Sequence, residues 1–233
     1  MNRHWILNKQ YVSVVCLLVG IGCSKPATEP QKDTSPAKPS AQASPAPSAD
    51  DMEAGAAMLR ILNVAHRNGG IMLRGECGLL GVTESYRMKM PVTFEPLEKA
   101  LQEISVRHQT IYWRESPASG VRLADSDIKA RLLRVKLREF RVIEDREPDA
   151  VMAALWRTSE VTAFLRRNHI HFSRRPVTAK KVISPPMIVE MRNATVADIL
   201  DRIAAGYRSD PPKVWIYREC EDKKETLVDV LMK

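Results

Sequence analysis

Two cysteines, Cys77 and Cys220, lie one in each half of the region that reads as folded. Paired, they would close the loop from residue 77 to residue 220. In the chain-entropy view such a loop stabilises a fold by about 5 kcal/mol. Two unpaired thiols are the alternative. His169 and His171 alternate along an extended run, which puts both imidazoles on one side of a strand. Two imidazoles could begin a metal site. No Cys, Asp or Glu nearby offers a third ligand, and Arg166, Arg167, Arg174 and Arg175 flank the pair with opposing charge. No metal is expected there. The densest basic stretch is Arg166, Arg167, Arg174, Arg175, Lys180 and Lys181, and Arg134, Lys136 and Arg138 could join it on one face. That face would suit anionic lipid headgroups, lipopolysaccharide or an acidic partner. A solvated surface is the other reading.

Catalytic constellations are missing from the sequence. There is no His-Glu-x-x-His, no Gly-x-Ser-x-Gly, no phosphate loop and no dinucleotide glycine pattern. Acids such as Glu76, Glu95 and Asp198 stand apart, without the pairing that acid–base work needs. The expectation is a protein that is not an enzyme, with no cofactor and no small-molecule substrate. An undetected hydrolase is the least favoured reading.

The N-terminus supplies an address. Arg3 and Lys9 precede an apolar run from Val12 to Ile21, closed by Gly22-Cys23. The run falls short of the roughly 20 apolar residues of a spanning helix. Charge, short apolar core and small residues form a secretory signal layout. The Cys after Gly20-Ile-Gly22 resembles a bacterial lipoprotein signal, which implies cleavage before Cys23 and lipidation (palmitate among the acyl chains) of that residue. An uncleaved signal anchor is the alternative. Ser24 after the Cys implies the outer membrane, with the inner membrane as second choice. Ser24 to Asp50 then holds 6 Pro, 6 Ala and 5 Ser in 27 residues. It buries too little apolar surface to offset the entropy of ordering. As a coil it spans roughly 30 Å, and drawn out roughly 80 Å.

The chain carries 36 basic and 28 acidic residues, a net charge of +8. Nucleic acid, acidic lipid and acidic polysaccharide are all consistent with that sign. Export argues against nucleic acid.

The elements that must position these side chains follow from periodicity. Met52 to Asn68 reads as a helix ending at Asn68-Gly-Gly70, and Ile71 to Glu76 as a strand. An extended segment to Phe94 leads to a helix opened at Pro96. Thr110 to Glu115 and Val121 to Ala124 read as a hairpin. Leu133, Val135 and Leu137 alternate with cations, and Phe140 and Val142 continue out of phase, so a bulge is expected near Arg138-Glu139. Pro148 opens a helix reaching Leu165. Strands follow at Ile170 to Ser173 and Met187 to Met191. A helix capped by Asn193 or Thr195 and two closing strands complete the chain.

One pattern occurs twice. Leu97, Ala100, Leu101, Ile104, Ser105 and His108 have the spacing of Val196, Ile199, Leu200, Ile203, Ala204 and Tyr207. Ile111-Tyr-Trp-Arg-Glu115 follows the first set and Trp215-Ile-Tyr-Arg-Glu219 the second. Alternation puts one ring of each Tyr/Trp pair inward, and an outward ring on an edge strand could help a partner strand add to the sheet. Such recurrence predicts an internal duplication. Val92-Thr-Phe-Glu-Pro-Leu97 with Ala100-Leu101, and more loosely Met191-Arg-Asn-Ala-Thr-Val196 with Ile199-Leu200, resembles the short N-terminal domain of secretins and TonB-dependent receptors. That resemblance implies a small docking module that engages a protein partner. No barrel follows here, so gating and transport are not implied.

The sequence therefore predicts an α+β fold of two tandem βαββαββ-like modules, the first lacking a clear opening strand. The expected boundaries are 1–22 signal, 23–50 tether, 51–126 first module and 127–233 second module. The expected role is a periplasmic docking or assembly component, held to the membrane by its lipid and engaging another envelope protein. Binding of acidic envelope lipid or polysaccharide is the alternative.

Overall fold

The computed structural model describes residues 51–78, 81–84, 87–91, 96–116, 120–173, 182–222 and 224–233. Cys23, the signal, the tether, the segment Val92 to Phe94, Arg174, Arg175, Lys180 and Lys181 lie outside the described residues. The fold is α+β. Among the described residues, no helix is long and apolar enough to cross a bilayer.

The described residues open with β1 (Asp51–Glu53), where the sequence predicts helix from Met52. This strand pairs antiparallel with β4 (Arg87–Lys89). It supplies the opening strand that the first half seemed to lack. Helix α1 (Ala54–Val64) buries Ala54, Ala57, Met58, Ile61 and Leu62 at three-and-four spacing. It stops at His66, whose φ is 48°. Next come β2 (Gly69–Gly78), β3 (Gly81–Glu84), then α2 (Leu97–Arg107), β5 (Ile111–Glu115) and β6 (Val121–Asp125). A 3-10 turn at Leu132–Arg134 leads to β7 (Lys136–Arg146). The helix expected from Pro148 is two, α3 (Pro148–Trp156) and α4 (Ser159–Arg167). Extended Thr158 parts them. After these come β8 (Ile170–Phe172), β9 (Val182–Thr195), α5 (Val196–Gly206), β10 (Val214–Asp222) and β11 (Glu225–Met232).

Strand pairing follows one scheme in both halves. In the first, β2 runs parallel to β6, and β6 antiparallel to β5, beside the β1–β4 ribbon. In the second, β8 runs parallel to β11, and β11 antiparallel to β10, beside the β7–β9 ribbon. The matched helices α2 and α5 bury Ala100, Leu101 and Ile104, and Ile199, Leu200 and Ile203. The three-stranded sets join where β2 lies parallel to β10, giving the order β5-β6-β2-β10-β11-β8, with β3 against β2. The line between residues 126 and 127 thus crosses a continuous sheet.

Each half covers a different face of that sheet. Ile71, Leu73, Leu123 and Ile216 point toward α1 and α2, while Met72, Ala124, Trp215 and Tyr217 point toward α3 and α5. Period-2 alternation sends neighbours into separate cores. The bulge expected near Arg138-Glu139 is elsewhere. The β7–β9 register keeps one offset from Lys136↔Thr195 to Glu144↔Met187, and shifts between Glu144 and Arg146. Opposite Arg138, Asn193 adopts a left-handed φ of 51°. Just before that shift the ribbon carries a cross-strand pair, Ile143 and Ile188, 61% and 59% exposed.

The Gly69-Gly70 pair does not stop a helix but opens β2, where neither position has room for a side chain. A Cβ on Gly70 would lie 2.0 Å from the Trp215 ring, and one on Gly69 1.9 Å from the Val121 carbonyl. Gly70→Ala should cost about 1–3 kcal/mol by overpacking. Gly78→Ala, where the nearest atoms are 3.4 and 3.8 Å away, should be mild by comparison. Urea titration of the two variants checks the contrast, and equal midpoints would contradict it.

Candidate functional site

A buried charge network occupies the seam between the halves. Arg122 of β6 is 5% exposed and Asp201 of α5 is 3% exposed. Arg122 Nε donates to Asp201 Oδ2 at 2.8 Å, and its Nη2 donates to Asp198 Oδ1 at 2.8 Å and also to Asp201 Oδ2. Ser116 Oγ donates to Asp201 Oδ2, and Trp215 Nε1 to Asp201 Oδ1 at 2.7 Å. Each acid oxygen is therefore satisfied, as a buried carboxylate requires. Asp198 also closes a capping box with Thr195 at the start of α5.

Burial alone would raise the Asp198 carboxyl. Hydrogen bonds from Thr195 and Arg122, with the Arg122 charge, outweigh burial and hold it below the ordinary aspartate range. A carboxyl depressed in the folded state adds stability above its unfolded pKa, near 4, and loses it as pH falls through the lower folded value. Stability should therefore drop between about pH 5 and about pH 3 more steeply in the parent than in Asp198→Asn. Parallel slopes would contradict the assignment.

The loop joining the halves is fixed to the second. Glu219 Oε1 accepts from the backbone N–H of Lys129 at 2.7 Å and of Ala130 at 2.9 Å, and Oε2 accepts from the Tyr217 hydroxyl at 2.7 Å. Burial and the Glu219 charge push the Tyr217 phenol well above its ordinary value, so it stays a donor. The loop is thereby set beside β5 and β6, where the face of the sheet toward α5 is not fully covered. A cleft of about 610 Å³ lies there, lined by Tyr112, Arg114 and Glu115 of β5, Met72 and Ile128 beneath, Arg134, and the first turn of α5. Tyr112 is 47% exposed.

A second hollow, of about 510 Å³, lies between the start of β7 and α4. Half-buried Val135 and Phe164 make an apolar floor, exposed Ala163 forms one wall, and Arg131, Arg134, Lys136 and Arg167 rim it. Arg134 lines both hollows, so they adjoin. Among the described residues, Arg134, Lys136 and Arg167 have no ion-pair partner; Arg131 lies 3.9 Å from Glu221. Among the described residues, Glu160 is the one carboxylate of this second rim. Its own backbone N–H and the Ser159 hydroxyl lower its pKa, and it also accepts the N–H of Arg138 at 3.4 Å. Cationic rims over apolar floors favour anionic ligands that carry a hydrophobic group.

Of the basic residues that the sequence suggests, Arg167 joins Arg134 and Lys136 at this hollow. Arg166 and Arg138 are exposed outside its lining. His169 precedes β8 with φ 52°, so His169 and His171 do not share a regular strand. Both are exposed, and among the described residues no three metal-ligating side chains gather. Cys77 and Cys220 form a disulfide between β2 and β10. Trp215 and Tyr217 are both fully buried, facing one core together. In the first half Trp113 is half-buried and Tyr112 is the outward ring. Sequence reasoning missed Arg131 and Phe164. Phe164 falls at helical spacing from Glu160 and Arg167, which is the only signal of its place.

No known family profile, curated protein or solved structure matches the chain.

Proposed function

We propose that the chain is a lipid-anchored docking component of the bacterial cell envelope, built from two tandem modules of the kind found at the N-termini of secretins and TonB-dependent receptors. The lipid sits on Cys23, and residues 23–50 tether the folded part to the periplasmic face of the outer membrane. The single observation that carries the docking role is a division among the charged groups. The buried Arg122, Asp201 and Glu219 are tied into hydrogen bonds that hold the fold, whereas Arg134, Lys136 and Arg167, around an apolar-floored hollow, have no ion-pair partner among the described residues. Charges arranged this way suit the selection and steering of a partner. The same cations support a second reading, binding of acidic envelope lipid or polysaccharide.

Chemical cross-linking in intact cells tests the proposal. A discrete, stoichiometric adduct with one envelope protein is expected, lost when Cys23→Ser detaches the chain. A ladder of random adducts, unchanged by Cys23→Ser, would refute it.

A further inference from the structure

We infer that the two adjoining hollows form one track for an extended acidic peptide of the partner, with a large apolar side chain inserted between Val135 and Phe164. This rests on the docking reading above and names its site. The charge balance points to an anion. Besides the internal Arg122–Asp198 pair, the linings hold five cations, Arg114, Arg131, Arg134, Lys136 and Arg167, against Glu115 and Glu160. Glu160 and Glu115 offset two of the five, so the linings keep a net excess of three positive charges.

Charge and a free strand edge together favour a peptide. Val135 and Phe164 are half-buried among the cations, so one apolar side chain can cover them while flanking carboxylates meet the rim. Two hollows in series, sharing Arg134, suit a chain that places carboxylates on either side of its anchor. At the far end the track meets β5, which lies at the edge of the seven-stranded sheet with Tyr112 exposed. A strand edge there offers main-chain hydrogen bonds to an extended peptide.

The test uses the mature full chain and three fluorescein-labelled synthetic peptides: Glu-rich with a central Phe, the same with Ser for Phe, and the same with Lys for Glu. Phosphatidylglycerol vesicles form a separate arm. Anisotropy at physiological salt should show binding of the Glu/Phe peptide, about tenfold weaker for the Ser version and none for the Lys version. Ala163→Glu puts a carboxylate on an exposed wall of the hollow and should weaken binding about tenfold with the thermal midpoint unchanged. Arg134→Ala should also weaken it and flatten its salt dependence. No binding of the Glu/Phe peptide, or binding that Ala163→Glu and Arg134→Ala leave intact, would overturn the track. Vesicle binding that depends on Arg134 without peptide binding would overturn it in favour of a membrane. If the cellular adduct survives in Ala163→Glu, docking stands and its site is elsewhere; if the adduct is absent in the parent too, the docking reading itself fails.

Discussion

Arg122→Ala should destabilise the fold by about 3–5 kcal/mol, because it strips the buried Asp201 carboxylate of its cation. Among the described residues, the carboxylate would keep Ser116 and Trp215 as donors, in a site 3% exposed. The effect reaches beyond one contact. Arg122 comes from the first half, Asp201 and Asp198 from α5 of the second, and Trp215 from β10. The network is therefore one polar fastening between the halves, beside the Arg218–Glu84 ion pair and the Cys77–Cys220 bond. A double-mutant cycle separates the lost attraction from the orphaned charge. Arg122→Met with Asp201→Leu removes both ions and should be less damaging than the sum of the single changes. Urea midpoints followed by tryptophan fluorescence give the values. Additive single effects, or an Arg122→Ala cost under about 1 kcal/mol, would show that the network holds nothing.

Breaking the Cys77–Cys220 bond should have an effect of similar size by a different route. The bond spans 143 residues of sequence and joins β2 to β10. Those strands are already aligned over six residue pairs, from Val214↔Gly69 to Glu219↔Arg74. The bond acts mainly on the unfolded chain, by denying it the conformations in which its halves separate. Chain entropy assigns a closed loop of this length about 5 kcal/mol. Cys77→Ser with Cys220→Ala should thus lower the urea midpoint strongly, and reductant should have no further effect on the double variant. A parent whose midpoint ignores reductant would contradict this account.

Much of the fold is written in periodicity. The matched spacings at Leu97 and Val196 fall on helices of equal length, because burial at three-and-four intervals depends only on the local turn. The Ile111 to Glu115 hairpin is legible for the same local reason. What the sequence conceals is long-range. Gly69 and Gly70 mimic a helix stop, yet the constraint comes from Trp215 and Val121, 145 and 52 residues further on from Gly70 and Gly69 respectively. Met52 and Glu53 read as helix because their strand pairing depends on Met88 and Arg87, far along the chain. At the site, Arg134, Lys136 and Arg167 are legible as charge. Their grouping depends on the break at Thr158, which redirects α4 toward β7, and no pattern in the residues announces that turn. Asp201 looks like an ordinary polar residue in a helix until Arg122 and Trp215 are brought to it.

The location underlies every functional statement, and the mass of the mature chain tests it most directly. Intact mass spectrometry of protein extracted from the envelope should give a polypeptide beginning at Cys23, heavier than its sequence by covalently attached acyl chains. A chain that retains residues 1–22, or one that begins elsewhere and carries no lipid, would contradict the account.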